Sequence, residues 1–106
     1  MRLALLTDIH GNREALSAVL ADLDVRAIDR IVILGDIVGY GPDPGWCVDK
    51  VVGLVGQGAI AIKGNHDSAI GNPGESLNAI ARAAIDWTRA RLSMDQQRFL
   101  AELPLT

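Results

Sequence analysis

The chain has 106 residues, 49% of them hydrophobic and 22% charged, with a formal net charge of −3 at pH 7. That length and apolar content fit one domain with a packed core and exclude a disordered chain, and the acidic balance argues against nucleic-acid binding driven by phosphate neutralisation. Cys47 is the single cysteine, so no internal disulfide can form, and no apolar run approaches the roughly 18–20 residues that span a membrane.

Leu3-Ala4-Leu5-Leu6 reads as a first strand. It meets Asp8 and His10 too early to be the apolar region of a secretory signal, so a cytoplasmic protein is expected. Gly11 and Asn12 then give a tight turn and a helix N-cap, followed by Ala15, Leu16, Val19, Leu20 and Leu23 on one helical face. Ile31-Val32-Ile33-Leu34 is the second strand, and the turn formers Gly39-Tyr40-Gly41-Pro42-Asp43-Pro44-Gly45 make a loop. A helix from about Trp46 to Val55, closed by Gly56 and Gly58, leads to a third strand, Ala59-Ile60-Ala61-Ile62, with Cys47 expected as a small buried hydrophobe.

Asn72-Pro73-Gly74 reads as another loop, after which Ser76 is expected to cap a long helix carrying Leu77, Ile80, Ala81, Ala84, Ile85 and Leu92. The arginines at 82, 89, 91 and 98 fit a solvated helix face. Ser93-Met94-Asp95-Gln96 has the form of a capping box, so a last helix runs to about Leu103, where Pro104 stops it. The predicted fold class is therefore α/β: β-α-β-α-β plus two C-terminal helices, with a mostly parallel sheet. Three strands are few for such a sheet, and something that covers or extends it is expected.

Each strand runs directly into a short polar segment: Asp8-Ile9-His10-Gly11-Asn12, Gly35-Asp36 and Gly64-Asn65-His66-Asp67. Spacings of 28 positions from Asp8 to Asp36 and 29 from Asp36 to Asn65 fit strand–crossover–strand units, which would bring all three to one edge of a parallel sheet. Asp8 and His10 could reach one point, Asp36 could bridge two ions, and Asn65 offers a neutral oxygen. Such donors suit Mn, Fe, Zn or Mg. His66 would reach over the metals to stabilise charge or protonate a leaving oxygen, with Asp67 orienting its ring. Taken singly, Asp8 and Asp36 fit turn residues and His10 a hydrogen-bonded histidine. Both histidines of the chain fall inside these segments, however, which favours a common site. There is no P-loop or dinucleotide fingerprint, and the second aspartate of haloacid-dehalogenase-type phosphatases is lacking after Asp8.

These segments, with Ile37-Val38-Gly39-Tyr40-Gly41 after the second, resemble the first three motifs of the calcineurin-like metallophosphoesterases, and the continuation is closer to the small bacterial and archaeal phosphodiesterase-like members than to the protein serine/threonine phosphatases. The resemblance implies a two-sheet sandwich flanked by helices and hydrolysis of a phosphomonoester or phosphodiester by a hydroxide activated between two divalent metal ions. It implies Asp8 and His10 as ligands of the first ion, Asp36 as the bridge, Asn65 on the second ion, and His66 as acid or transition-state stabiliser. The family completes its site with a further histidine and a Gly-His-x-His segment, and no histidine follows His66 here. Residues 1–106 are thus expected to be a single partial domain, the N-terminal half, holding one ion weakly and having little activity alone. A small phosphate ester is the expected substrate. The alternative is a non-catalytic metal-binding or assembly module that pairs with another chain, or with a second copy, through the uncovered sheet.

Overall fold

The computed structural model describes residues 1–72 and 76–106. Strands β1 (Leu3–Leu6), β2 (Arg30–Ile33) and β3 (Ile60–Ala61) form a parallel sheet in the order β1-β2-β3. Helices α1 (Arg13–Asp24) and α2 (Pro44–Gly56) are its crossovers, and α3 (Asn65–Gly71), α4 (Ala79–Ala90) and α5 (Met94–Glu102) follow β3. The register pairs Leu6 with Ile33 and Ile33 with Ala61, so the loops after the three strands leave the same edge. Bonds from the Leu34 N–H to the Leu6 carbonyl, 2.8 Å, and from the Ile62 N–H to the Ile33 carbonyl, 2.9 Å, carry the ladder to the mouths of those loops.

Alternation along the strands decides which side is core. Leu6, Ile31, Ile33 and Ala61 face a single cluster that takes Leu16 from α1 and Cys47, Val48 and Val51 from α2. Ala69 and Ile70 from α3, Ile85 from α4 and Leu100 from α5 complete it. Each fully buried large aliphatic side chain there contributes about 1.5–3 kcal/mol. On the opposite face Leu5, Val32 and Ile60 form one row across the sheet, with Leu5 63% and Ile60 44% exposed. The C-terminal segment closes on β3: the Lys63 N–H donates to the Pro104 carbonyl and the Lys63 ammonium to the Ala101 carbonyl, both at 2.7 Å. Among the described residues no helix is long and apolar enough to cross a membrane.

The α/β alternation is as the periodicity implied, with four local differences. A seven-residue helix, α3, begins at Asn65 within the third polar segment and was not anticipated. α2 starts at Pro44 instead of Trp46, because a proline at the first helical position gives up a donor that would have no intrahelical partner. α4 starts at Ala79, where Asn78 Oδ1 accepts the Ala81 N–H at 2.8 Å; the cap is Asn78 and not Ser76. β3 is two residues long, shorter than the apolar run that announced it. The caps expected at Asn12 and Ser93 are both present, with the Ala15 N–H 3.0 Å from Asn12 Oδ1 and the Gln96 N–H 3.1 Å from Ser93 Oγ. Of the loop expected at Asn72-Pro73-Gly74, residues 73 and 74 lie outside the described residues.

Candidate metal centre

The three loops are held in an unusual backbone conformation before any side chain is considered. Asp8, His10 and Asp36 all have left-handed φ, 55°, 50° and 53°, which costs an L-residue roughly 1–2 kcal/mol. Cross-loop hydrogen bonds over-determine this geometry: the His10 N–H donates to the Asp36 carbonyl (2.8 Å), the Gly11 N–H to the Ile37 carbonyl (2.9 Å) and the Gly41 N–H to the His10 carbonyl (2.7 Å). Gly35 and Gly64 bring two of the loops into backbone contact. Gly35, at φ 105°, is a turn glycine, and a Cβ there would also sit 2.7 Å from the Gly64 Cα. Gly64 is extended, with φ −89° and ψ 174°, so it is not a turn residue. Its lack of a side chain matters because a Cβ would overlap the Asp36 amide and carboxylate.

This backbone gathers three donors. A ring nitrogen of His10 and one carboxylate oxygen each from Asp8 and Asp36 lie within 4.8 Å of one another. His10 Nδ1 is 3.1 Å from the Val38 carbonyl, which only accepts, so Nδ1 carries the ring proton. In the neutral ring Nε2 then presents its lone pair to Asp8 Oδ1, 3.2 Å away. A proton on Nε2, or a divalent cation held by both atoms, satisfies this pair. Two carboxylates and one imidazole are donors for a hard or borderline divalent ion, so the residues fit such an ion. The Thr7 hydroxyl donates to Asp8 Oδ2 at 3.0 Å and leaves Oδ1 free for the site. Asp36 Oδ1 accepts the His66 N–H at 3.1 Å. Asn65 opens α3, exposed, between two residues that both touch the Asp36 carboxylate.

His66 is nearly buried, 7% exposed, with its ring centroid 5.0 Å from that of His10. Burial lowers its pKa, with the Asp36 carboxylate pulling the other way. Its Nδ1 has no hydrogen-bond partner among the described residues. The expected support from Asp67 is therefore not made. Asp67 instead accepts three backbone N–H groups: Ile37 at 2.9 Å and Val38 at 3.3 Å on Oδ1, and Gly64 at 3.0 Å on Oδ2. The helix α3 is the physical reason, since its third residue reaches back to the N-cap N–H instead of sideways to its neighbour. Burial pushes the Asp67 carboxyl up to about 6 against the pull of those three donors.

Tyr40 joins the site without having been singled out as functional. Its φ is 68°, it is 54% exposed, and its ring centroid lies 5.4 Å from His10 and 4.9 Å from His66. The sequence signal was Gly39-Tyr40-Gly41, two glycines that let backbone approach the histidines: a Cβ on Gly39 would overlap His66 Nδ1, and one on Gly41 would overlap the His10 carbonyl.

A family model described as calcineurin-like phosphoesterase matches residues 1–104. Uncharacterized protein MJ0912 of Methanocaldococcus jannaschii is 42% identical over 106 aligned positions, covering 97% of this chain and 42% of that protein. Among solved structures, a metallophosphoesterase from Sphaerobacter thermophilus is similar at TM-score 0.77 and 42% identity, over 98% of this chain and 42% of its own. A putative diadenosine tetraphosphatase is similar at TM-score 0.72 and 28% identity, over 97% and 43%. Hypothetical protein PH1004 from Pyrococcus horikoshii OT3, at TM-score 0.85 and 24% identity, shares the fold. The chain spans about two-fifths of the length of the curated relative it matches. With a match that takes in all three loops and nearly every residue, the chain belongs to the calcineurin-like phosphoesterase family.

Proposed function

We propose that residues 1–106 form the N-terminal half of a metal-dependent phosphoesterase, contributing one edge of a two-ion site that acts on a small phosphate ester. The observation that carries this reading is the convergence of Asp8, His10 and Asp36 at the carboxyl edge of the sheet, with His10 Nε2 and Asp8 Oδ1 facing each other. In this reading Asp8, His10 and Asp36 hold the first ion, and Asp36 and Asn65 begin the second. Bound divalent ions, manganese being the first to test, would neutralise phosphate oxygens and acidify a water. His66 stands beside these ligands, where its ring can stabilise charge on the phosphate or give a proton to the leaving oxygen. Asp67 acts on the site through the backbone, tying the loop of Asp36 to that of Asn65.

Two observations support a half-site over a complete one. The relatives are more than twice as long as the stretch they share with this chain. The row of Leu5, Val32 and Ile60 is apolar and open, a face suited to burial under further structure. The same row favours, as a second reading, a module that pairs with another chain.

Hydrolysis of p-nitrophenyl phosphate and its bis-ester with Mn²⁺, beside the Sphaerobacter metallophosphoesterase, tests the reading. Turnover at least ~100-fold below that enzyme, and lost in Asp36→Asn, is expected. Equal turnover would overturn the half-site, and turnover indifferent to Asp36→Asn would overturn the phosphoesterase assignment itself.

A further inference from the structure

We infer that Tyr40 is a positioning residue of this site: its ring, packed against both the His10 and the His66 imidazole, fixes where the His66 ring stands relative to the candidate metal ligands. The consequence for phosphate rests on the phosphoesterase reading, whereas the geometry does not.

His10 and His66 are anchored differently. His10 is held through Nδ1, which donates to the Val38 carbonyl. Among the described residues His66 has no hydrogen bond on its buried Nδ1, and the carboxylate beside it in sequence is committed to three backbone donors. Rotation about the last torsion of an imidazole is broad, and with Nδ1 unbonded no hydrogen bond there chooses its orientation. Packing has to do so.

The packing comes from one loop. The Tyr40 ring meets His10 edge-on, at 5.4 Å and 65°, and meets His66 tilted, at 4.9 Å and 51°. The two imidazoles meet each other at 5.0 Å and 70°. All three separations fall in the range where aromatic pairs attract. Gly39 backs onto His66 Nδ1, and Gly41 is bonded to the His10 carbonyl at 2.7 Å, so the residues flanking Tyr40 each grip one histidine. Tyr40 takes a left-handed φ that an aromatic residue rarely adopts, a conformation kept only where the surroundings over-determine it. Core burial does not explain that cost, because the residue is 54% exposed. Contact with the two histidines does. Tyr40 thereby adds to the direct His10–His66 contact a second ring that fixes the His66 imidazole.

The flat ring carries this role, so phenylalanine should replace tyrosine and alanine should not. Tyr40 is the only tyrosine and His10 and His66 are the only histidines, which makes their ring signals assignable by NMR. Wild-type protein is expected to show cross-peaks from the Tyr40 ring to both histidines and from the His66 ring to the Gly39 Hα. Tyr40→Phe should keep the His66–Gly39 cross-peak. Tyr40→Ala should lose it while the core cross-peaks of Ile33 and Val51 persist. In Zn²⁺-loaded protein, inorganic phosphate should bind roughly tenfold more weakly to Tyr40→Ala, as to His66→Ala, and equally well to Tyr40→Phe, with Zn²⁺ affinity unchanged in all three. Persistence of the His66–Gly39 cross-peak in Tyr40→Ala would overturn the inference. So would the absence of Tyr40–His66 cross-peaks in the wild type, a measurement that stands even if Tyr40→Ala fails to fold. Failure of the wild type to bind Zn²⁺, with its ring cross-peaks intact, would overturn the phosphoesterase reading and support the positioning role alone.

Discussion

At Asp67 a single carboxylate joins two loops of the candidate site. It satisfies the N–H groups of Ile37 and Val38 after β2 and of Gly64 before α3, and it is 1% exposed. Leaving buried donors unpaired costs about 1–3 kcal/mol each, without additivity. Asp67→Ala is expected to lower the unfolding free energy by roughly 2–4 kcal/mol in urea titrations. It should also weaken metal binding, because the loop of Asp36 loses its tie. Cys47 gives a pH test of the core. Burial first, then the nearby Asp43 and Glu14 carboxylates, push its thiol from 9.0 up to about 11. The folded state therefore keeps a proton that the unfolded chain releases, so this contribution to stability is whole below about pH 9 and is lost as pH rises to about 11. The expected loss is up to about 2–3 kcal/mol. Urea midpoints at pH 8 and pH 10.5 should diverge more in wild type than in Cys47→Ala.

At the scale of elements, what could be read from the chain was what local chemistry sets. Asn12 and Ser93 act as caps because a short polar side chain ahead of an apolar helical face has one good partner, an N–H on the next turn. The missed helix α3 has seven residues, too few for a periodic face, and it begins among residues chosen for the site. Its absence from the sequence reading also misassigned Asp67. At α4 both Ser76 and Asn78 are cap types, and the choice between them was tertiary: Leu77 packs against the core before the helix begins. Asn78→Ala should cost about 1 kcal/mol by thermal or urea unfolding, while Ser76→Ala should stay within about 0.5 kcal/mol. Equal effects would return the cap to Ser76. The candidate ligands Asp8, His10 and Asp36 were legible because each follows an apolar strand, and parallel register does the rest. Tyr40 was not, since its role depends on a loop path that glycines permit but do not dictate.

The molecule as a whole is finished on one side of its sheet and open on the other. Among the described residues, five helices and the C-terminal segment cover Leu6, Ile33 and Ala61, whereas Leu5, Val32 and Ile60 face outward on strands whose edge β1 has no strand on its outer side. Such a face invites association. Leu5→Lys is expected to reduce self-association by light scattering and binding of a hydrophobic dye, with unfolding free energy within about 0.5 kcal/mol of wild type. A large loss of stability would mean that this face is already buried in the folded chain.

The claim on which the site depends is that Asp8, His10 and Asp36 together hold a divalent ion. Calorimetric titration with Mn²⁺ at pH 7 tests it directly, in wild type, Asp36→Asn and His10→Ala, with near-UV spectra verifying the fold. One saturable site is expected in the wild type, weakened at least roughly tenfold in each variant. No saturable binding in the wild type, or equal affinity in all three proteins, would contradict it.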